Sequence, residues 1–401
     1  MTDTVNCRMA EEQDTAQMQE LWLRCFDDTP RFVQWYFERY YRAENTIGIF
    51  QGSKLLASAQ VIPYRIHLRG QILDSGYVVG VDTAPEARNR GYARTLLQEC
   101  LQMQRDRKQS ISLLMPFEGQ FYYRYGWPFC YFHQQIKIMP RELRCAAKPW
   151  GNIRQAELQD AVDIMQRIYG AFIQNYDGAV ERSAESWKLL LEDAALENTF
   201  CYLLEQDGQA EAYCLWNRLK DNGKDTVFIR EMAWRCEDAR AGMLQFLMEH
   251  VPEGQLLWLE LPDDDVLAGQ LAAVKTAVVR YPFLMARIVD IEPCLEHLCY
   301  PQTVTAEFCM AVQDEFAPWN QGVFRVSVQN GKAVVKKEEV AEPDASIADI
   351  SVTIEGLSQL VMGARSAVQL QKQNQLQAEP PFVQLLQQMW PAQPLYINEY
   401  Y

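Results

Sequence analysis

The sequence predicts a mixed α/β (α+β) protein of more than one domain. Three observations carry that expectation. A helix, a meander of strands, a glycine loop, a helix and a strand follow one another in the first third of the chain. A similar order returns in the middle third without the loop. After residue 290 the texture changes to hairpin strands and a short helix. With 401 residues the chain is long enough for two or three domains and a large buried core.

Residues 11–26 read as an amphipathic helix with Met18, Leu21, Trp22 and Cys25 on one face. Residues 31–41 are unusually aromatic, with Phe32, Trp35, Tyr36, Phe37, Tyr40 and Tyr41. Strands at 46–50 and 54–63 join at Gln51-Gly52-Ser53. A further pairing across Arg69-Gly70 leads to the strand holding Val78, Val79 and Val81. The turn Thr83-Ala84-Pro85 and the basic loop Arg88-Asn89-Arg90-Gly91-Tyr92-Ala93 then open a helix. Its inner stripe is Ala93, Leu96, Leu97, Cys100 and Leu101, while Arg94, Gln98, Glu99 and Gln102 take the other faces. Strands at 110–115 and 129–138 follow, with residues 118–127 between them.

The middle third repeats this order. A helix at 158–172 precedes strands at 200–205 and 210–216, joined at Asp207-Gly208. A strand at 226–234, a helix at 239–250 and a strand at 255–261 complete the copy. Where the first copy has its basic loop, the second has Arg235-Cys236-Glu237-Asp238-Ala239-Arg240-Ala241, with acids and no glycine. Strands at 303–312, 322–329 and 332–337, the last two joined at Asn330-Gly331, then a strand at 351–354 and a helix near 357–362 form a third region. The expected domains are 1–147, 148–291 and 292–401.

Composition narrows the function. A net charge of −15 argues against a nucleic-acid partner and is compatible with cationic small molecules. Eleven cysteines, an odd and scattered set, suit reduced thiols in a cytoplasmic protein rather than a disulfide framework. No apolar run approaches the ~20 residues that span a bilayer, and residues 1–14 lack a signal-peptide core, so no membrane partner is expected. Cys294 and Cys299 flank His297 without zinc-type spacing, and no metal is expected. Neither a Gly-x-Ser-x-Gly elbow nor a P-loop occurs.

A strand feeding a glycine loop that opens a helix is a place for a phosphate. The first helical N–H groups lack intrahelical partners, and the helix dipole favours negative charge there. Arg88, Asn89, Arg90, Gly91, Tyr92, Ala93 and Arg94 are therefore the candidate phosphate contacts. The spacing Arg-x-x-Gly-x-Ala resembles the pyrophosphate loop of the GNAT acetyltransferases, which hold acetyl-coenzyme A. The tandem order, with a working unit, a degenerate unit and a tail that resembles a sterol carrier protein, is similar to the Eis family of aminoglycoside N-acetyltransferases. The sharpest local match is Phe117-Glu118-Gly119-Gln120-Phe121-Tyr122-Tyr123-Arg124-Tyr125-Gly126-Trp127, where Phe117 stands for the family's usual serine and Trp127 for its usual tyrosine.

The resemblance implies direct acetyl transfer from acetyl-CoA to an amine, without an acyl-enzyme. Backbone N–H groups around Val81, Asp82 and Thr83 would polarise the thioester carbonyl. The pantetheine would lie along that strand, with Phe117 and Glu118 nearby. Tyr122 would be the general acid for the leaving thiolate, since a phenol titrates near ~10 and a thiol near ~8.5. The terminal carboxylate of Tyr401 would be the base, and it needs a dry pocket or a water relay because a free one titrates near ~3.5. Asp27, Asp28 and Glu399 as anions, and Trp35 as a ring face, would bind a small cationic amine. The resemblance also implies a homo-oligomer, hexamer included. Two other expectations stand beside it: a lipid or apolar-ligand carrier with an inert acetyltransferase relic, and a protein N-acetyltransferase.

Overall fold

The structure, a computed structural model, describes residues 4–142, 150–271, 276–339 and 348–400. The first stretch holds β1 (Val5–Met9), α1 (Thr15–Cys25), α2 (Pro30–Arg39), β2 (Thr46–Gln51), β3 (Lys54–Leu68), β4 (Gln71–Thr83), α3 (Tyr92–Asp106), β5 (Ile111–Leu114), α4 (Gly119–Tyr123) and β6 (Phe129–Ile138). The middle holds β7 (Asn152–Ala156), α5 (Val162–Phe172), α6 (Ala184–Leu196), β8 (Phe200–Gln206), β9 (Gln209–Asp221), β10 (Lys224–Trp234), α7 (Glu237–His250), β11 (Leu256–Pro262) and β12 (Val278–Ile288). The last holds α8 (Ile291–His297), β13 (Ala306–Gln313), β14 (Gly322–Gln329), β15 (Lys332–Lys337), β16 (Ile350–Thr353), α9 (Ile354–Met362), α10 (Ala367–Lys372), β17 (Leu376–Ala378) and α11 (Pro380–Met389).

These elements gather into two compact units that interleave in sequence. One comprises residues 1–130, 283–393 and 399–401; the other comprises 131–282 and 394–398. The strand read at 129–138, inside the expected first domain, pairs through His133–Ile138 with β11 in the second unit. Beside β5 in the first unit lies the end of β12 instead, with Met285 opposite Leu114 and Ile288 opposite Ile111. Both strands mix apolar and polar residues and are of similar length, so periodicity alone does not say which of them takes that place.

In the first unit the strands run β1-β2-β3-β4-β5 and then residues 285–288 of β12, with only β4 and β5 parallel. Alternate residues of β3 point to opposite faces. Ala57, Ala59 and Val61 join Leu96, Leu97, Cys100 and Leu101 of α3 in one core. Leu56 joins Met18, Leu21 and Trp22 of α1 and Val33, Tyr36 and Phe37 of α2 in another. The stripe read from α3 is the buried one, Ala93 being half-covered. The same unit contains a five-stranded sheet ordered β15-β14-β13-β16-β17, with β13 and β16 parallel. Arg287 is buried under α4's exit, where it donates to Tyr125 O and pairs with Asp314. Gly126 has φ +90°, and a Cβ built on it would lie 2.4 Å from Arg287 Nη1. Only glycine satisfies both the backbone and that approach.

In the second unit the order is β6-β11-β10-β9-β8-β7, with β10 and β11 parallel. The hairpin at Asp207-Gly208 is as expected, and a second one at Asn222-Gly223 joins β9 to β10. All four turn residues have positive φ, as type I′ turns require. Its core is one cluster built around Met165, Trp187, Tyr213, Trp234 and Leu247. Among the described residues, no helix is long and apolar enough to cross a membrane.

Candidate active site

The site begins with a defect in β4. Gln60 faces Val79 and Ser58 faces Asp82, so two residues, Gly80 and Val81, stand opposite one, Ala59. This is a β-bulge, and it turns the strand. Gly80 carries the required positive φ of +59°. On the other side, the parallel ladder with β5 runs from Ser75↔Ile111 to Val78↔Leu114, and among the described residues it goes no further. Beyond Val78 the two strands part, and β4 continues to Thr83 with one edge outside that ladder. Such an edge can accept an extended chain that carries amides. Neither the bulge nor its consequence for β5 was read from the sequence; both show in the register.

The phosphate loop follows. Asn89 and Gly91 both take left-handed conformations, at φ +63° and +80°. Gly91 is the N-cap of α3 and offers no side chain to the helix start. The first backbone bond into the helix is Thr95 N to Gly91 O, 3.2 Å, so the N–H groups of Tyr92, Ala93 and Arg94 lie in the orphan first turn. A Cβ on Gly91 would meet nothing within 4 Å, so this corner is open space. Arg88, Asn89, Arg90 and Arg94 are exposed around it. Arg88 Nε donates to Thr83 O at 3.4 Å, and the Arg94 guanidinium lies 5.9 Å from the Phe316 ring centre. Tyr92 is half-buried, packed against both cores of the unit.

Asp82 does not face solvent with its neighbours. Its side chain is 4 % exposed, and Oδ1 accepts from Ser58 N at 2.8 Å and Ser58 Oγ at 2.7 Å. Burial raises its carboxyl to about 7, against the opposing hydrogen bonds from Ser58. Its side chain thus clamps β4 to β3, while its backbone is part of the bulged edge. Val81 and Thr83 are half-covered beside it.

Tyr122 lies on α4, buried, edge-on to Phe117 and Phe121. It shares a core with Val78, Leu114 and Val81, the residues where β4 and β5 separate. Burial pushes its phenol well above its ordinary value. Phe117 is 79 % exposed. Glu118 caps α4, accepting from Gln120 N at 3.2 Å.

The residues expected to bind the amine divide. Asp28 Oδ2 accepts from Trp22 Nε1 at 2.8 Å, which gives it a role in holding α1. Asp27 is exposed. Trp35 stacks in the aromatic run of α2, 5.8 Å from Phe32 and 6.5 Å from Tyr40. Glu399 is buried against β4, where its carbonyl accepts from Tyr77 Oη at 3.2 Å. The Tyr77 ring lies tilted, 5.6 Å from that of Tyr64, whose hydroxyl is 3.1 Å from that of Tyr40. Burial and then the Glu399 carboxylate raise the Tyr77 phenol well above its usual range. Tyr40 stood in the aromatic run at 31–41 without a role, and Tyr64 and Tyr77 were not picked out, because tyrosines in apolar strands usually read as core. Tyr401, expected to be the base, lies outside the described residues.

Comparison with known proteins agrees with this architecture. Residues 6–130 and 178–288 each match a model of an acetyltransferase (GNAT) domain, and residues 291–398 match a sterol carrier protein domain. The class of the chain is therefore N-acetyltransferase, with tandem GNAT folds and a sterol-carrier-like domain. Relatives include an uncharacterized N-acetyltransferase of Streptomyces avermitilis, 21% identical over 81% of this chain and 83% of that protein. One from Streptomyces coelicolor is also 21% identical, over 82% of each. A GCN5-related N-acetyltransferase from Anabaena variabilis superposes with a TM-score of 0.87 at 22% identity, covering 99% of this chain and 100% of that one. Eis1 from Mycobacterium abscessus superposes with a TM-score of 0.79 at 17% identity, covering 99% and 100%. These likenesses concern the fold.

Proposed function

We propose that the chain transfers acetyl from acetyl-CoA directly to an amino group of a small cationic amine, in the manner of the Eis-type aminoglycoside acetyltransferases. The observation that carries this reading is the open helix start of α3, placed directly after a strand that leaves its parallel partner at Val78. A diphosphate suits the first and an amide-bearing pantetheine suits the second. Acetyl-CoA supplies the activated thioester. The residues that would hold it are Arg88, Asn89, Arg90, Gly91, Tyr92, Ala93 and Arg94 at the diphosphate, and the backbone of Val81, Asp82 and Thr83 at the thioester end.

Val81–Thr83 backbone N–H groups serve as the donors to oxygen as its charge develops. Tyr122 gives its proton to the departing sulfur. The burial that raises its phenol also raises a thiol in the same surroundings, so the transfer is not opposed by the dry site. On the acceptor side, Glu399 and the rings of Tyr40, Tyr64 and Tyr77 give an anionic, aromatic wall suited to an ammonium group. The terminal carboxylate of Tyr401 takes the amine's proton, directly or through water. A thiol-release assay over aminoglycosides, simple amines and peptides tests the reading. Turnover with polyamines or aminoglycosides supports it; turnover with peptides alone makes the protein a protein N-acetyltransferase. No thiol release with any acceptor, together with no heat on acetyl-CoA titration, would leave a relic domain.

A further inference from the structure

The second unit repeats the backbone defect that opens the first. The parallel ladder between β10 and β11 runs from Thr226↔Leu256 to Ile229↔Leu259 and, among the described residues, goes no further, and the β9–β10 register shifts between Ile229 and Glu231. The helix that follows is built against phosphate. Glu237 and Asp238 occupy the first turn of α7, and Arg240 is turned inward onto Asp265, 2.5 Å away. What meets this bulge is Asn398. Asn398 Nδ2 donates to Arg230 O at 3.1 Å and to Glu231 Oε2 at 2.9 Å.

The Glu231 carboxylate is prepared for that role. Arg182 donates to both its oxygens, at 2.8 and 2.7 Å, and Tyr213 Oη donates to Oε1 at 2.5 Å. Burial alone would raise this carboxyl, but the Arg182 charge and the hydrogen bonds from Arg182, Tyr213 and Asn398 hold it below its usual value. The Arg182 guanidinium lies over both Tyr169 and Trp187, 4.2 and 4.8 Å from their ring centres. Residues 394–397 are tied down as well. Asp177 N donates to Pro394 O at 2.9 Å, and Tyr396 N donates to Asp177 O at 3.2 Å. His133 Nε2 donates to Ile397 O at 2.8 Å, and the Tyr396 ring packs against Phe172 and Tyr176.

We propose that the second unit's bulge is an anchor for the C-terminal strap, with Asn398 as the latch and Glu231 as the positioning residue. The copy that lacks a phosphate loop keeps its backbone opening and uses it to hold residues 394–398 of the same unit. Its catalytic consequence rests on the reading of the chain terminus as proton acceptor; the anchor itself does not.

The test compares full-length wild type with Asn398→Asp, Asn398→Ala and Asn398→Gln. Amide exchange of residues 395–397 is read by mass spectrometry, with β10 amides as an internal check of folding, and thiol release is measured in parallel. Aspartate keeps the size of asparagine but sets a second carboxylate against Glu231. Losing a hydrogen bond to a charged partner and adding repulsion should speed strap exchange about 10- to 100-fold. The expected order of exchange is Asp, then Ala, then Gln, with β10 unchanged. A role in packing alone would make alanine worse than aspartate, and that order, or wild-type exchange in Asn398→Asp, overturns the anchor. If the strap loosens and turnover falls, anchor and terminal base both stand. If it loosens and turnover holds, the anchor stands and the terminal base is wrong.

Discussion

Asp82→Asn is expected to exchange stability between low and high pH. The carboxyl is buried, and among the described residues its Oδ2 has no hydrogen-bond partner, while Ser58 satisfies Oδ1. Burial raises it from 3.8 to about 7. At 1.36 kcal/mol per unit that shift corresponds to about 4 kcal/mol. The folded state binds the proton more tightly, so the wild type bears no penalty below about pH 4. It loses stability as pH rises towards 7 and is level above that. Asparagine cannot ionise and keeps the acceptor for Ser58, but it places an unpartnered amide donor where Oδ2 sits, which costs about 1–3 kcal/mol. The variant should therefore be more stable than wild type by about 1–3 kcal/mol at pH 8 and less stable at pH 4. Urea denaturation of both proteins at pH 5 and pH 8 measures this, and the gap between them should change by about 3 kcal/mol. A gap that does not move with pH would refute the buried, protonated carboxyl.

Other substitutions separate binding, chemistry and fold. Gly126→Ala combines a left-handed backbone with a clash against the buried Arg287–Asp314 pair, and should cost about 3 kcal/mol or more by denaturant titration. Tyr122→Phe should lower turnover about 100-fold or more while acetyl-CoA affinity stays within about twofold, checked by steady-state kinetics beside calorimetry. Adding one residue after Tyr401 should reduce turnover at saturating amine without changing acetyl-CoA affinity, and unchanged turnover would remove the terminal carboxylate as base. Arg88→Ala with Arg90→Ala should weaken acetyl-CoA binding about tenfold at low salt, and less at 1 M salt, because both side chains are exposed and screened.

Much of the fold was legible because the informative signals are local. Gly91, Asp207-Gly208 and Asn330-Gly331 mark positive-φ backbone, and the α3 stripe marks its buried face. What the sequence hid are partner choices between similar strands. Residues 133–138 and 285–288 are both short strand segments of mixed polarity, and nothing in their own pattern assigns one to β11 and the other to β5. Asp28 illustrates the same limit for the site. An acid near an expected substrate wall reads as a ligand, yet the indole of Trp22 already holds it. The burial of Glu399 beside Tyr77 depends on a contact more than 300 residues apart in sequence, which no local pattern shows. The bulges in β4 and β10 are visible only as register, which is why the second copy's retained opening could not be read from its lost glycine loop.

The most direct test of the central claim, that the start of α3 holds the diphosphate, is calorimetric titration of wild type and Gly91→Ala with acetyl-CoA and with an acetyl-pantetheine lacking the diphosphate. The added methyl meets no atom within 4 Å in the structure, so its effect is on the left-handed backbone and on the open corner itself. Tight, saturable binding of acetyl-CoA by wild type is expected, with at least tenfold weaker binding by Gly91→Ala and no difference between the two proteins towards acetyl-pantetheine. Equal affinity of both proteins for acetyl-CoA would contradict the assignment of that corner.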